Sequence, residues 1–382
     1  MNRRTILKLG ALSALTPTLG FSKEKDETSV ILLWLGGGAT QFETFNPGLN
    51  VPAEFSSVTG AIQTCNGGYV GGLFPKVAQL KNTLIVNSFT HGQANHSQGT
   101  HYMLTGEDTA EPNEGASPKE PSMGSIIASY FGLNQVHVPT YTRINQIYAD
   151  GGAWLGPQYN PYDAKEGKDN LKNRVAQDRF NDRRKLVDGL DRVYDKSWRA
   201  YREQTYDLIL GPSYDIFSVD KEPEKVRNNY GPGVGQDLLL ARRLCENGCK
   251  FVTIHNGGWD NHTDIEKAMN QLCPPVDKAI NAFAQDVAGK KIMLVVMGEF
   301  GRTKLNGGAG RDHWPGLSPL MFVNGPRYGF HGKNSKSYEP TDSPVYPKDV
   351  VSTVLNYLGI PKDYQKTDSS GRPRYLSQGN II

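Results

Sequence analysis

The chain has 382 residues, of which 37% are hydrophobic and 21% charged, with a net charge of +3 at neutral pH. That composition excludes a disordered or fibrous protein and leaves room for one large α/β domain or two small ones. So small a charge excess, without a long basic patch, also argues against a nucleic-acid partner.

The N-terminus reads Asn2-Arg3-Arg4-Thr5-Ile6-Leu7-Lys8, a twin-arginine pattern followed by a mildly apolar stretch from Leu9 to Phe21. This is the form of an export signal for the twin-arginine machinery, spanning residues 1–22 with cleavage near Ser22. The stretch falls short of the roughly 20 apolar residues that a spanning helix needs. No stable membrane anchor is therefore expected after cleavage, and the mature chain is expected in the periplasm or outside the cell. Residues 23–382 read as a single domain.

Within it, Ser29–Leu35, Thr83–Phe89, Lys250–His255 and Lys291–Met297 are apolar runs without clean alternation, as in strands covered on both faces. A fifth run, Leu317–Val323, is expected nearer an edge. Phe74–Leu80 reads as a short helix, and Gln236–Glu246 as a longer one with Gly248 as its stop. Asp264–Val287 contains Pro274-Pro275 and is expected as two helices or a kinked one. Asp349–Leu358 closes the fold. Between about 165 and 210 charges dominate, while Leu186, Leu190, Val193 and Trp198 recur at helical spacing, which implies an inserted amphipathic helix on the outside. Gly106–Pro121 is expected as a long loop. Cys65, Cys245, Cys249 and Cys273 read as small buried residues, with at most one disulfide. Alternating strands and helices give an α/β class with a mainly parallel sheet.

Ligands of such sheets sit beyond the carboxyl ends of the strands. Here the exits carry Glu43 after the Gly36-Gly37-Gly38 turn, then His91 and His96, then Asp260 and His262, then Glu299. A glycine-rich loop after Glu299 adds Arg302, Arg311, Asp312 and His313. Carboxylates and imidazoles released at several exits point to one polar metal site. Asp260-x-His262 in extended chain turns both side chains the same way. Asp312-His313 offers one carboxylate and one imidazole to a hard or borderline ion. The pool of metal ligands is thus Glu43, Asp260, His262, Glu299, Asp312 and His313, for a divalent ion such as zinc, calcium or manganese. Arg302 pairs with Glu299 or holds an anionic substrate oxygen, and Arg311 repeats that chemistry. His101 reads as a packing histidine, and His137, His255 and His331 as structural.

These segments, LWLGGGATQFETFNP, HGQANHSQGTHYMLTG, YGPGVGQDLLLARRLCENGCKFV, GGWDNH and GEFGRT with GRDHW, resemble the DUF1501 family of exported bacterial proteins over nearly the whole mature chain. The family is grouped with the alkaline phosphatase and sulfatase superfamily. The resemblance implies a three-layer α/β/α sandwich and a metal site for ester hydrolysis. Counting back from Leu104-Thr105-Gly106 places His96 where the nucleophile of sulfatases stands, but Gln98 and Thr100 replace the Pro and Arg of their signature. A formylglycine sulfatase is thereby excluded. The family's first motif usually has Asp where this chain has Glu43 and where it has Asn46.

The expected function is metal-dependent hydrolysis of a phosphate or sulfate ester. His96 or Ser97 would be the nucleophile or anion binder at a helix start, and Arg302 or Arg311 would hold the non-bridging oxygens. The alternative is a non-catalytic exported protein of the same fold that binds a polysaccharide, a cell-wall component or a protein partner.

Overall fold

The computed structural model describes residues 27–109, 118–132, 137–170, 176–190, 202–203, 205–206, 208–209 and 211–382. The expected export signal, Val193 and Trp198 lie outside the described residues.

The strands that matter for the site are β1 (Ser29–Leu35), β2 (Thr83–Val86), β3 (Tyr141–Ile144), β4 (Tyr162–Asp163), β5 (Phe251–Asn256), β6 (Ile292–Met297), β7 (Gly301–Leu305), β8 (Arg311–Trp314), β9 (Leu320–Val323) and β10 (Gly329–His331). Eight of them form one sheet in the order β10-β2-β9-β6-β1-β5-β3-β4, while β7 and β8 form a separate antiparallel pair. Only β9 runs against the others within the large sheet. Every residue of β1 and β6 is buried, which explains why their sequences do not alternate.

The two faces of β1 divide the core. Ile31, Leu33 and Leu35 pack with α3 (Val234–Glu246) and α4 (Ile265–Asp286) through Leu238, Leu244, Met269, Ile280 and Phe283. Val30, Leu32 and Trp34 pack with α1 (His96–Thr105), α2 (Met123–Phe131) and α5 (Pro347–Tyr357) through Met103, Ile127, Val351 and Val354. Each fully buried aliphatic or aromatic side chain contributes about 1.5–3 kcal/mol of transfer free energy. The result is helix layers on both faces of a mainly parallel sheet.

Four expectations need correction, the first of them only in its two-helix alternative. α4 is one helix of 22 residues with Pro274 and Pro275 inside it. Its buried stripe Ile265, Met269, Cys273, Val276, Ile280 and Phe283 runs unbroken through the prolines, so packing outweighs the lost hydrogen bonds. β9 is not near an edge: it lies between β2 and β6, because the short return from the β7–β8 pair carries no crossover helix and so sends the chain back antiparallel. The run Phe74–Leu80 yields only a 3₁₀ turn at Val77–Gln79. In the charged insertion the described helices are Ala164–Asn170 and Gln177–Leu190, and Leu186 is 63% exposed rather than packed. No disulfide forms among Cys65, Cys245, Cys249 and Cys273, of which only Cys65 is exposed. Among the described residues no helix is long and apolar enough to cross a membrane.

Candidate metal centre

At the carboxyl end of the sheet, the β5 exit delivers Asp260 and His262, the β6 exit Glu299, the β8 strand Asp312 and His313, and the first turn of α1 His96. Asp260 is the hub. Its Oδ2 lies 3.5 Å from His96 Nε2, and its Oδ1 lies 3.0 Å from His262 Nε2 and 3.1 Å from His313 Nε2. The other nitrogen of each ring is already committed. His96 Nδ1 is 2.9 Å from Glu299 Oε1, His262 Nδ1 is 2.7 Å from Asp312 Oδ1, and His313 Nδ1 is 3.0 Å from the Ala94 carbonyl oxygen.

Carboxylates and a carbonyl can only accept, so each Nδ1 donates, and each neutral ring turns an Nε2 lone pair towards Asp260. His262 Nε2 and His313 Nε2 stand 3.2 Å apart. Lone pairs so close to one another and to a carboxylate repel unless a proton or a cation lies among them. Imidazoles whose far nitrogen is held by a carboxylate or carbonyl are the usual arrangement of metal-bound histidines. His96, Asp260 and His313 offer ligand atoms within 4.8 Å of one another.

Glu299 adds a second sign of a missing positive charge. It is 3% exposed, its Oε1 accepts from the Gly37 N–H at 2.7 Å and from His96, and its buried Oε2 has no partner. A buried carboxylate oxygen without a donor is costly, and a cation relieves it. Gly37 must stay glycine for this geometry: its φ is +113°, and a Cβ there would stand 2.6 Å from the Asp260 nitrogen.

The protonation equilibria follow from these contacts. Burial pushes the Asp260 carboxyl up, but the hydrogen bond and positive charge of Arg302 outweigh it and hold the group at about 2. The Glu299 hydrogen bond raises His96 above its ordinary 6.5, against the effect of burial. Burial lowers His313, with Arg302 adding to it and Asp260 opposing. In metal-free protein, therefore, the His96 resonances should titrate above 6.5 and those of His313 below, by NMR. Saturating divalent cation should abolish both titrations, and curves unchanged by cation would remove the metal reading. The sign for stability is also set. The His96 contribution in the metal-free chain is full below an unfolded value near 6.5 and is lost as pH rises through its raised folded value.

The two arginines do not face a substrate. Arg302 is 1% exposed and directs Nε to the Gly38 carbonyl at 2.6 Å, Nη1 to the Arg311 carbonyl at 3.0 Å, and Nη2 to the Gly37 carbonyl and to Asp260 Oδ1, the last at 2.6 Å. It orients Asp260 and ties three loops together. It pairs with Asp260, not with Glu299.

Arg311 is fully buried, stacks over the Phe42 ring at 4.1 Å, and holds Glu43 Oε1 at 2.9 Å together with the Ser56 and Glu54 carbonyls. Glu43, also 0% exposed, takes further hydrogen bonds from Thr40 and the Val58 N–H. Glu43 is thus a partner of Arg311 inside the protein and does not reach the cluster. The first strand exit supplies the Gly37 amide instead of a carboxylate.

A bulge in the β7–β8 pair explains how neighbours in sequence part company. Arg311 faces Leu305, His313 faces Arg302, and the register shifts between them. Arg311 consequently turns inward while Asp312 and His313 reach the cluster.

Ser97 is 1% exposed, its hydroxyl has no partner, and it lines an open cavity beside the cluster. The same helix start is capped by Asn95, whose side chain accepts the Ser97 and Gln98 N–H groups. His91 is buried, burial lowers its pKa to about 4, and its Nδ1 accepts the Gln93 N–H, so it stays neutral and outside the cluster. His101 packs as expected, 1% exposed and held by Glu107. His255, read from sequence as structural, lines the cavity with Trp34, Thr100, Gln146 and Tyr148. Trp34 and Thr100 lie in the segments that carry the family resemblance, Gln146 and Tyr148 in none of them; the parallel register sets Trp34 beside His255.

Fold and site define an α/β protein with a histidine–carboxylate cluster at the carboxyl ends of its strands. The chain belongs to the family described as "Protein of unknown function (DUF1501)", whose model matches residues 27–382. No curated protein matches it. Solved structures with a similar course include a phosphonate monoester hydrolase from Silicibacter pomeroyi, 10% identical with a TM-score of 0.43, covering 93% of this chain and 76% of that one. The C-terminal periplasmic domain of EcEptC from Escherichia coli, in complex with Zn, is 11% identical with a TM-score of 0.41, covering 88% and 84%. A protein in the alkaline phosphatase superfamily from Vibrio parahaemolyticus is 10% identical with a TM-score of 0.40, covering 87% and 66%. The functional reading below is taken from the side chains.

Proposed function

We propose that the chain is an exported, metal-dependent hydrolase of phosphate or sulfate esters. The observation that carries the reading is the convergence of three Nε2 lone pairs on Asp260, each with its Nδ1 proton anchored. His96, Asp260, His262 and His313 would hold the ion, with the unpartnered Glu299 Oε2 a further donor, and Asp312 would orient His262 from behind. His96 is then a ligand rather than a nucleophile. A divalent ion bound there would activate a water or hydroxyl and offset the negative charge that develops on the ester.

The chain's own part is orientation. Arg302 fixes Asp260, and the Ser97 hydroxyl, buried and free of partners, is available to attack the ester or donate to its oxygens. Ser97→Ala separates these roles. Loss of all turnover with metal retained marks a nucleophile, while a loss of about 10²-fold marks a donor. Export rests on the twin-arginine pattern at Arg3-Arg4.

Elemental analysis of protein exported by its native host should find a stoichiometric divalent metal. Chelation should abolish turnover of aryl phosphates or sulfates, and the metal should restore it. A metal-free protein inert on both ester classes would end the proposal. The non-catalytic alternative draws support from one observation: the guanidinium groups of Arg302 and Arg311 are both buried inside the protein, which leaves neither exposed to an ester oxygen. Full metal content without turnover would select it.

A further inference from the structure

We propose that the cavity beside the metal centre binds a neutral polyhydroxylated group, so that the ester to be cleaved sits on a sugar; this rests on the hydrolase reading above. The cavity has a volume of about 710 Å³ and is lined by Trp34, Thr100, Gln146, Ile147, Tyr148 and His255 away from the cluster. Apart from Asp260 and Glu299 of the cluster, no charged residue is among the described residues that line it. The Trp34 indole, the Thr100 hydroxyl, the Gln146 amide and the His255 imidazole have no side-chain hydrogen-bond partner in the protein, and Trp34 is only 2% exposed. The Trp34 and His255 rings both edge onto Gly36, where a Cβ would come within 2.2 Å of His255 Nε2 and 3.2 Å of Trp34 Cδ1.

The wall carrying Gln146 and Tyr148 is fixed from beneath. Asn145, at φ +63°, donates to the His255 carbonyl at 3.0 Å, and the Asp150 carboxylate accepts from the Tyr141 and Thr253 hydroxyls. Pre-formed sites with a few placed polar groups on an apolar and aromatic lining are the rule for small organic ligands. Among these, an anionic headgroup or a nucleotide's remaining phosphates would require cations that the lining lacks. An acyl chain would leave four hydrogen-bonding side chains unmatched, each at a cost of about 1–3 kcal/mol. A sugar satisfies both conditions: its hydroxyls meet mixed donors and acceptors, and its C–H face lies on Tyr148.

Two measurements test this with the full exported chain. In the first, metal-loaded protein is given galactose 6-sulfate, N-acetylglucosamine 6-sulfate and glucose 6-phosphate beside 4-nitrophenyl sulfate and phosphate and phosphatidic acid. A glycosyl ester should exceed every other ester in kcat/KM by about tenfold or more, one hydrogen bond's worth. Gln146→Ala and His255→Ala should raise its KM by a similar factor while kcat changes little. In the second, metal-stripped protein is applied to an array of sulfated and unsulfated oligosaccharides, where wild type should bind and both variants should weaken. Preference for the lipid or aryl ester overturns the inference and leaves the hydrolase reading in place. Oligosaccharide binding without hydrolysis of any ester supports the inference and removes the hydrolase reading. Neither binding nor hydrolysis overturns both.

Discussion

Asp260→Asn should strip the protein of its metal and its turnover while leaving it folded. The carboxylate is the one group that all three Nε2 atoms approach, and it is also the anionic partner of Arg302. Removing even an outer partner of a ligand costs about 10–100-fold in metal affinity, so loss of the hub should cost at least the upper figure. The folded chain should survive. The side chain is 42% exposed, and Arg302 keeps the Gly38 and Arg311 carbonyls as acceptors. A loss of about 1–3 kcal/mol in metal-free denaturant unfolding is expected. Competition with a chromophoric chelator gives the affinity. Unchanged affinity in the asparagine variant would mean the ion, if any, sits elsewhere.

Glu43→Gln should show the opposite pattern, a large loss of stability with metal affinity kept. Glu43 and Arg311 are both fully buried, 2.9 Å apart. Breaking such a pair strands a charge in the interior and costs about 3–5 kcal/mol. That is a large part of the stability of an ordinary domain, so the variant is best measured at low temperature, where the folded fraction can be loaded with metal and counted. If stability held while metal was lost, Glu43 would be a ligand after all, and the placement of the first strand exit would need revision.

The two experiments also mark where sequence reasoning carries and where it stops. β1 and β6 were legible because burial on both faces leaves no room for polar residues, and their ends then fix where the cluster must lie. Asp260 and His262 were legible because a two-residue step in extended chain keeps both on one side. Glu43 was not. Its partner is 268 positions away, and a carboxylate that closes an internal ion pair has the same letter as one that binds a metal. The burial of Arg302 and Arg311 was hidden for the same reason: whether a guanidinium meets solvent depends on which carbonyls fold around it. At Pro274-Pro275 the two-helix alternative fell because local chemistry argued for a break and long-range packing overruled it. His255 and Tyr148 had no signal at all, since they meet only when β3 and β5 pair.

The bulge between Arg311 and His313 has a consequence for how this protein can change over generations. Side chains on a strand alternate, so any insertion or deletion of one residue in the 306–310 turn that shifts the pairing would exchange the fates of Arg311 and Asp312. A cation would then point at the histidines and an acid would sit against Glu43. Both the interior pair and the cluster would fail in a single event. Gly307, with open space around an added Cβ, should accept substitution and Gly310, where a Cβ would stand 2.0 Å from the His262 backbone, should not, while single-residue length variants are lost before selection on chemistry can act.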